Sequence, residues 1–164
     1  MPEKKTLERA KRDRRQGKSA STQASEFVRE EIEHIRKGKH GARSAKQAIA
    51  IGLSKARRAG VPLKPPVKGS VSEKSRRAAK SAFKKGQKHE PISTKRSAAR
   101  EKALKREPSS AASHTALSQQ TRSAAKKRSA ADRSKAAKQA AKTKGAKGRS
   151  KAAKKAARTR SLKS

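Results

Sequence analysis

The chain of 164 residues carries 49 Lys plus Arg against 12 Asp plus Glu, a formal charge of +37, with two Phe and neither Trp nor Tyr. Low hydrophobicity combined with high net charge excludes the large apolar core of an ordinary domain. The absence of Cys excludes disulfides and thiolate metal sites, and no run approaches the roughly 18 apolar residues of a membrane span.

The first segment, residues 1–24, reads as a basic N-terminal arm with 8 basic and 3 acidic groups. Its opening, MPEKKTLERAKRDRRQGK, lacks the apolar h-region of a secretory signal. Glu3, Glu8 and Asp13 fit a mitochondrial presequence poorly. A cytoplasmic location with a polyanionic partner is therefore expected.

Residues 25–62 read as a helical hairpin. The first helix is expected to follow Ser25 as N-cap. At 100° per residue, Phe27, Val28, Ile32 and Ile35 fall within roughly 140°. Most of Glu26, Glu30, Glu31 and Glu33 should point away from that arc, and Gly38 is placed to end the helix. The second helix lies in RSAKQAIAIGLSKARRAG, residues 43–60. Ser44 and Gln47 match a capping box. Ala45, Ile49, Gly52, Leu53 and Ala56 share a face, and Gly60 and Pro62 end the helix. Ala48, Gly52 and Ala56, spaced by four, admit a second helix at close range. Ile51 lies off that face, either exposed or a contact for another chain. The expected hairpin core is Phe27, Val28, Ile32, Ile35, Ile49, Leu53 and Ala56. So small a core is expected to need support, through self-association of residues 25–60, a partner protein or nucleic acid.

Residues 63–108 read as a Pro-containing linker with short basic helices. VPLKPPVKG, residues 61–69, should be extended. A helix is expected from Ser72 to Gly86, with Ala79, Ala82 and Phe83 on its weak face. Another is expected within PISTKRSAAREKALKREP, ended by Pro108. Residues 109–164 form a low-complexity Lys/Ala/Ser/Arg tail that opens on a polar spacer, SSAASHTALSQQT. RSAA recurs at 96–99, 122–125 and 128–131, and RSKAA at 133–137 and 149–153, without a strict period. The expected fold class is mostly α where ordered: a small αα-hairpin with long basic regions that are largely disordered or become helical on binding.

The basic groups are the dominant chemical signal. Residues 63–164 hold 32 basic and 5 acidic groups, and Asp132 is the only acid after residue 108. Duplex DNA presents one charge per about 1.7 Å, and neutralising phosphates releases counterions. The expected phosphate contacts are Arg122, Lys126, Lys127, Arg128, Arg133, Lys135, Lys138, Lys142, Lys144, Lys147, Arg149, Lys151, Lys154, Lys155, Arg158 and Arg160. A flexible tail offers no rigid element for reading base edges. Two Phe supply no stacking platform for single strands, which favours duplex DNA. A helix-turn-helix would present Lys46, Gln47, Arg57 and Arg58, but no third packed helix is evident from the sequence. The four Glu of the first helix read as a helix start in a basic chain, with Glu33 four residues before Lys37, and not as catalytic carboxylates. His34, His40, His89 and His114 are scattered, so no metal site and no cofactor are expected. Neither a Gly-rich phosphate loop nor G-x-S-x-G occurs, and an enzyme is not expected. The frequent Arg-Ser pairs would suit kinases, whose phosphate would weaken contact with DNA.

Two resemblances attach to these residues. FVREEIEHIRKGKHGARSAKQAIAIGLSKARRAG resembles a short bacterial domain family of unknown function. That family has a Lys-His-Gly turn, here Lys39 to Gly41, and a Lys-Gln-Ala-Ile-Ala-Ile helix, here Lys46 to Ile51, closing at Ala59 and Gly60. Gly52 stands where Ala is expected, which should weaken the helix slightly. The tail RSAAKKRSAADRSKAAKQAAKTKGAKGRSKAAKKAARTR is similar in composition to the Lys/Ala-rich tails of histone H1 and of bacterial histone-like proteins. It lacks their Pro punctuation and any Ser-Pro-Lys-Lys. The expected function is non-sequence-specific binding and condensation of DNA, histone-like and nucleoid-associated. The alternatives are an RNA-binding or ribosome-associated protein, and a partner-docking hairpin with a localising tail.

Overall fold

The computed structural model describes residues 2–91 and 93–162, so Ile92, within the expected helical segment 91–108, lies outside the described residues. All regular structure among the described residues is helical: α1 (Lys4–Arg15), α2 (Ala20–Arg36), α3 (Ala45–Arg58), α4 (Glu73–Gln87), α5 (Thr94–Leu104), a 3₁₀ turn (Ser110–Ala112), α6 (His114–Lys126) and α7 (Ala130–Ser161). The chain divides into two units, residues 1–120 and 121–164.

One local device starts six of the seven α-helices. Ser19, Ser44, Ser72, Ser93, Ser113 and Ser129 each accept, through Oγ, the backbone N–H three residues ahead, at 3.0 to 3.5 Å. Each serine satisfies a donor that the first helical turn leaves unpaired. The start of α2 therefore differs from expectation. Ser19 is the cap, and Ser25 lies inside the helix with its Oγ donating to the Thr22 carbonyl at 2.6 Å. At α3 the expected box is present but shifted, because the Gln47 side chain accepts the N–H of Arg43 at 2.8 Å and not that of Ser44.

In the first unit α2 packs against α1 and α3, and α4 packs against α3. The expected small-residue face of α3 is where it meets α2: Ala48, Gly52 and Ala56 are all buried. A Cβ on Gly52 would stand 2.6 Å from the Val28 Cα and 3.0 Å from the Phe27 carbonyl oxygen. Gly52 is thus the contact point of the two helices, and the weakening it imposes on α3 is the condition for their approach. Phe27, Ile35 and Ala56 are buried, as the expected hairpin core requires, whereas Val28, Ile32, Ile49 and Leu53 are half-buried at its edges.

The core is wider than a hairpin. Residues 1–24 are not an arm: α1 buries Thr6, Ala10 and Asp13, and Ala10 joins Ala24, Phe27, Ala56 and Val61 in one cluster. Residues 109–112 are not a spacer, because Ala111 and Ala112 join Ile35, Ala42 and Ala48 in a second cluster. The Gly41 N–H donates to the Leu104 carbonyl at 2.9 Å, and the Ala42 N–H to that of Pro108 at 3.0 Å. These bonds fasten the turn between α2 and α3 to the segment after α5. Helix α4 buries Ala79, Ala82 and Gly86, with Phe83 half-buried, while α5 buries nothing. In the second unit α7 is broken at Gly145, where φ is 66° and ψ is 171°.

Gly52→Ala tests the α2–α3 contact. On an isolated helix the change would gain about 0.5–1 kcal/mol. Here the added methyl must part the two backbones, and overpacking costs typically about 1–3 kcal/mol. The expected outcome is a net loss of stability of about 1–2 kcal/mol in urea denaturation followed by helical circular dichroism. A gain would show that the helices stand further apart.

Candidate nucleic-acid interface

All sixteen expected phosphate-contact residues are exposed: Arg122 and Lys126 on α6, Lys127 and Arg128 in the following turn, and the remaining twelve on α7. Being helical, α7 orders its charges. After the break at Gly145, Lys147, Lys151, Lys154, Lys155 and Arg158 fall within roughly 100° of helix surface. They span about 16 Å at 1.5 Å per residue. Before the break, Lys135, Lys138 and Lys142 share a second, shorter stripe, with Arg133 and Lys144 on the opposite side. Arg149 and Arg160 turn back on their own helix, Nη1 of Arg149 donating to the Ala141 carbonyl at 2.6 Å and Nε of Arg160 to that of Ala156 at 3.3 Å. Asp132, the sole acid of α7, serves the helix start: it accepts from Ser129 Oγ at 2.7 Å and donates its own N–H to that oxygen at 3.0 Å.

The first unit adds exposed cations that the sequence reading did not single out. Lys4, Lys5, Lys11, Arg12, Arg14 and Arg15 lie on α1, and Lys74, Arg77, Lys80 and Lys84 on α4. Their helical spacing was the available signal, obscured by their assignment to an arm and a linker. The helix-turn-helix reading is corrected in two ways. Packed neighbours for the hairpin do exist, in α1 and α4. Two of the four side chains it needs are committed elsewhere, however. Gln47 is engaged at the start of α3, and Arg57 is buried, donating from Nε to the Leu63 carbonyl at 3.2 Å and from Nη2 to that of Lys64 at 3.4 Å. Burial pushes the Arg57 guanidinium below its ordinary pKa. Phe27 is buried and Phe83 half-buried, so neither is a free platform for a base.

A second constellation contradicts the expectation that the Glu residues of α2 face outward and that the histidines are scattered. Glu31 is 0% exposed and Glu30 only 4%. The Glu31 carboxylate stands 3.1 Å from His40 Nε2 and 2.5 Å from Lys55 Nζ. Glu30 Oε1 lies 3.9 Å from Lys55 Nζ and 4.0 Å from His34 Nε2, and its Oε2 accepts the N–H of Glu3 at 3.3 Å. His34 Nε2 reaches Glu3 Oε1 at 2.8 Å, and Lys39 Nζ donates to the same oxygen at 3.2 Å. The hydrogen bond from His34, then that from Lys39, holds the Glu3 carboxyl low, at about 2. The C-terminus of α2 explains the convergence. Gly38, at φ 69°, lets the Lys39 N–H bond the His34 carbonyl and the Gly38 N–H that of Ile35, both at 3.0 Å. The chain then doubles back and sets His40 against the helix it has left.

No described helix is long and apolar enough to cross a membrane. Comparison with protein families, curated proteins and solved structures finds no match.

Lys55→Ala would leave Glu31 in the interior without its ammonium partner. Breaking a buried pair from one side costs about 3–5 kcal/mol, and Lys55, partly exposed, should fall at the lower end. Replacing both Lys55 and Glu31 by Leu should cost less than Lys55→Ala alone, because no orphaned charge remains. Chemical denaturation of the two variants measures the difference. Equal losses would show that the pair is solvated.

Proposed function

We propose that the protein binds nucleic acid without sequence preference, as a histone-like protein that neutralises phosphates on duplex DNA, with α6 and α7 as the main contact and the first unit as the body that carries them. The observation that supports this most directly is the five-cation stripe of α7, Lys147 to Arg158, free of any intervening acid. Along its ~16 Å a duplex presents about ten charges. The stripe therefore faces more phosphates than it can neutralise, and counterion release favours contact. Lys and Arg on this surface can meet phosphates in any register. Base readout would need bidentate groups held by packing, and none of the described side chains of α7 is buried. The want of an aromatic platform favours a duplex over single strands.

Helix and binding are coupled in this reading. Lys147 and Lys151, Lys151 and Lys155, and Lys154 and Arg158 are like-charged i,i+4 pairs, each opposing the helix by about 0.2–0.5 kcal/mol. Phosphates remove that opposition. The free tail therefore exchanges between coil and helix, and the bound tail is helical. Nucleoid association and a cytoplasmic location follow from this function as part of the proposal. The resemblance of residues 27–60 to a bacterial family of unknown function adds no activity.

The test is a salt titration of binding to a duplex of random sequence by the full chain and by a variant with Gln at 147, 151, 154, 155 and 158. Gln keeps helix propensity close to that of Lys. Each lost phosphate contact lowers the slope of log K against log salt by about 0.9, so the variant should lose roughly 4.5 from the slope. Unchanged slopes would remove α7 from the interface, and failure of the full chain to bind DNA at low salt would end the proposal. Tighter binding to structured RNA in the same titration would move the assignment to an RNA partner.

A further inference from the structure

His40 is fixed in one tautomer by the chain itself. Its Nδ1 lies 3.0 Å from the Gly41 carbonyl oxygen, which can only accept, so Nδ1 carries hydrogen. In the neutral ring Nε2 then presents a lone pair, and it presents it to a Glu31 carboxylate oxygen 3.1 Å away. Two acceptors at that distance repel unless a cation, either a proton or a metal ion, lies between them. Neither Glu31 oxygen has a hydrogen bond of good geometry, although the residue is fully buried and Lys55 provides an ion pair. His34 completes the group: one donor atom from each of Glu31, His34 and His40 lies within 4.8 Å of the other two. The two rings meet edge to face, with centroids 6.3 Å apart.

We propose that Glu31, His34 and His40 form a binding site for a zinc-like divalent metal ion that clasps the C-terminal end of α2 to the turn before α3. Two imidazoles and a carboxylate are a donor set that suits Zn²⁺, with the fourth position left to water or to Glu30. Tetrahedral zinc bonds of about 2.0–2.2 Å place donors roughly 3.4 Å apart. Glu31 and His40, 3.1 Å apart, already meet that spacing, and His34, within 4.8 Å of both, has to close by at most about 1.4 Å. The Gly41 carbonyl on His40 Nδ1 is the outer partner that metal-bound histidines ordinarily have. The local charge also suits a cation. Glu3, Glu30 and Glu31 face Lys39 and Lys55 here, three carboxylates against two ammonium groups, in a chain that is otherwise strongly positive. Glu3 competes for His34, whose Nε2 it holds at 2.8 Å and must give up if the ion takes that nitrogen, and Lys55 competes for Glu31. The Lys55 side chain is partly exposed and can swing into solvent when an ion takes its place.

The full chain is titrated with Zn²⁺ at neutral pH against a chromogenic chelator, and with Co²⁺ read by visible absorption. One ion per chain and the intense bands of four-coordinate Co²⁺ are expected. His34→Ala and His40→Ala should each weaken binding by about tenfold or more, and the double variant His89→Ala with His114→Ala should leave it unchanged. Lys55→Ala gives an independent reading that does not depend on the histidine variants folding. It should bind Zn²⁺ more tightly than the parent chain and regain its lost thermal midpoint when the ion is added. Absence of binding would mean that a proton alone separates His40 from Glu31, and would overturn the site. So would Zn²⁺ affinity that survives loss of both His34 and His40, or a Lys55→Ala chain that Zn²⁺ does not restore. DNA affinity is not read in any arm, so the metal site and the nucleic-acid function stand or fall separately.

Discussion

The first unit is held together by side chains that end at Cβ. Among the described residues, ten of its thirteen buried apolar side chains are Ala, against Phe27, Ile35 and Val61. An alanine core buries little area per residue, so it stabilises only where backbones come near enough for dispersion contacts between main chains and methyl groups. Close approach is the constraint from which the other features follow. At Gly52 even a methyl group would collide with the backbone of α2, and at Gly86 the same holds for the backbone of α3, where a Cβ would stand 1.8 Å from the Arg57 carbonyl oxygen. The serine caps and the backbone hydrogen bonds that tie Gly41 and Ala42 to distant residues matter more in such a unit than in one with a large apolar core, because less burial energy is present to cover an unpaired group.

Close packing also accounts for the buried charges. Helices brought together over small residues leave no outlet for long side chains on the shared faces. Glu30 and Glu31 on α2 must therefore find partners within the contact, and Lys55 on α3 and the histidines near the end of α2 provide them. An ion pair in such a place is weak evidence for stability but imposes one register, since sliding α3 by a turn would separate Lys55 from both carboxylates. The carboxylates thus fix how α2 and α3 align, while the alanines and Gly52 fix how closely they meet. That division accounts for two of the four acids clustered in this segment, Glu30 and Glu31.

How legible this was from sequence depended on the kind of signal. Caps and helix ends were readable one by one: Ser44, Ser72, Gly38 and the Ala48–Gly52–Ala56 face all act as their local chemistry requires. The extent of the core was not, because the large aliphatics point to a hairpin core between Phe27 and Ala56, whereas Ala10, Ala79, Ala82, Ala111 and Ala112 extend it in both directions. An alanine in a Lys/Ala-rich segment has no periodicity that separates a buried methyl from an exposed one. The Glu–His cluster was hidden for a different reason. His34 and His40 are six apart, a spacing that is meaningless on a helix, and only the reversal at Gly38 brings them together. The helical stripe on α7 is implicit in the spacing of Lys147, Lys151, Lys154, Lys155 and Arg158, but it becomes a surface only if the segment is helical, which like-charged i,i+4 pairs oppose.

The two units also differ in the kind of order their sequences can specify. In residues 1–120 many alanines are buried against other elements and the buried carboxylates have cationic neighbours, so substitutions at those positions have a particular neighbour to disturb. In α7 alanines and cations alternate without burying a face, and nothing distinguishes one Lys from the next except its angle on the helix. A partner that reads individual side chains would find little to select in such a surface, whereas a uniform line of phosphates is matched by charge density alone. In the proposed complex, tolerance of register would be a property of the ligand as much as of the protein. The stripe would need only that some phosphate lie near each cation, a condition a duplex meets at every step along its length.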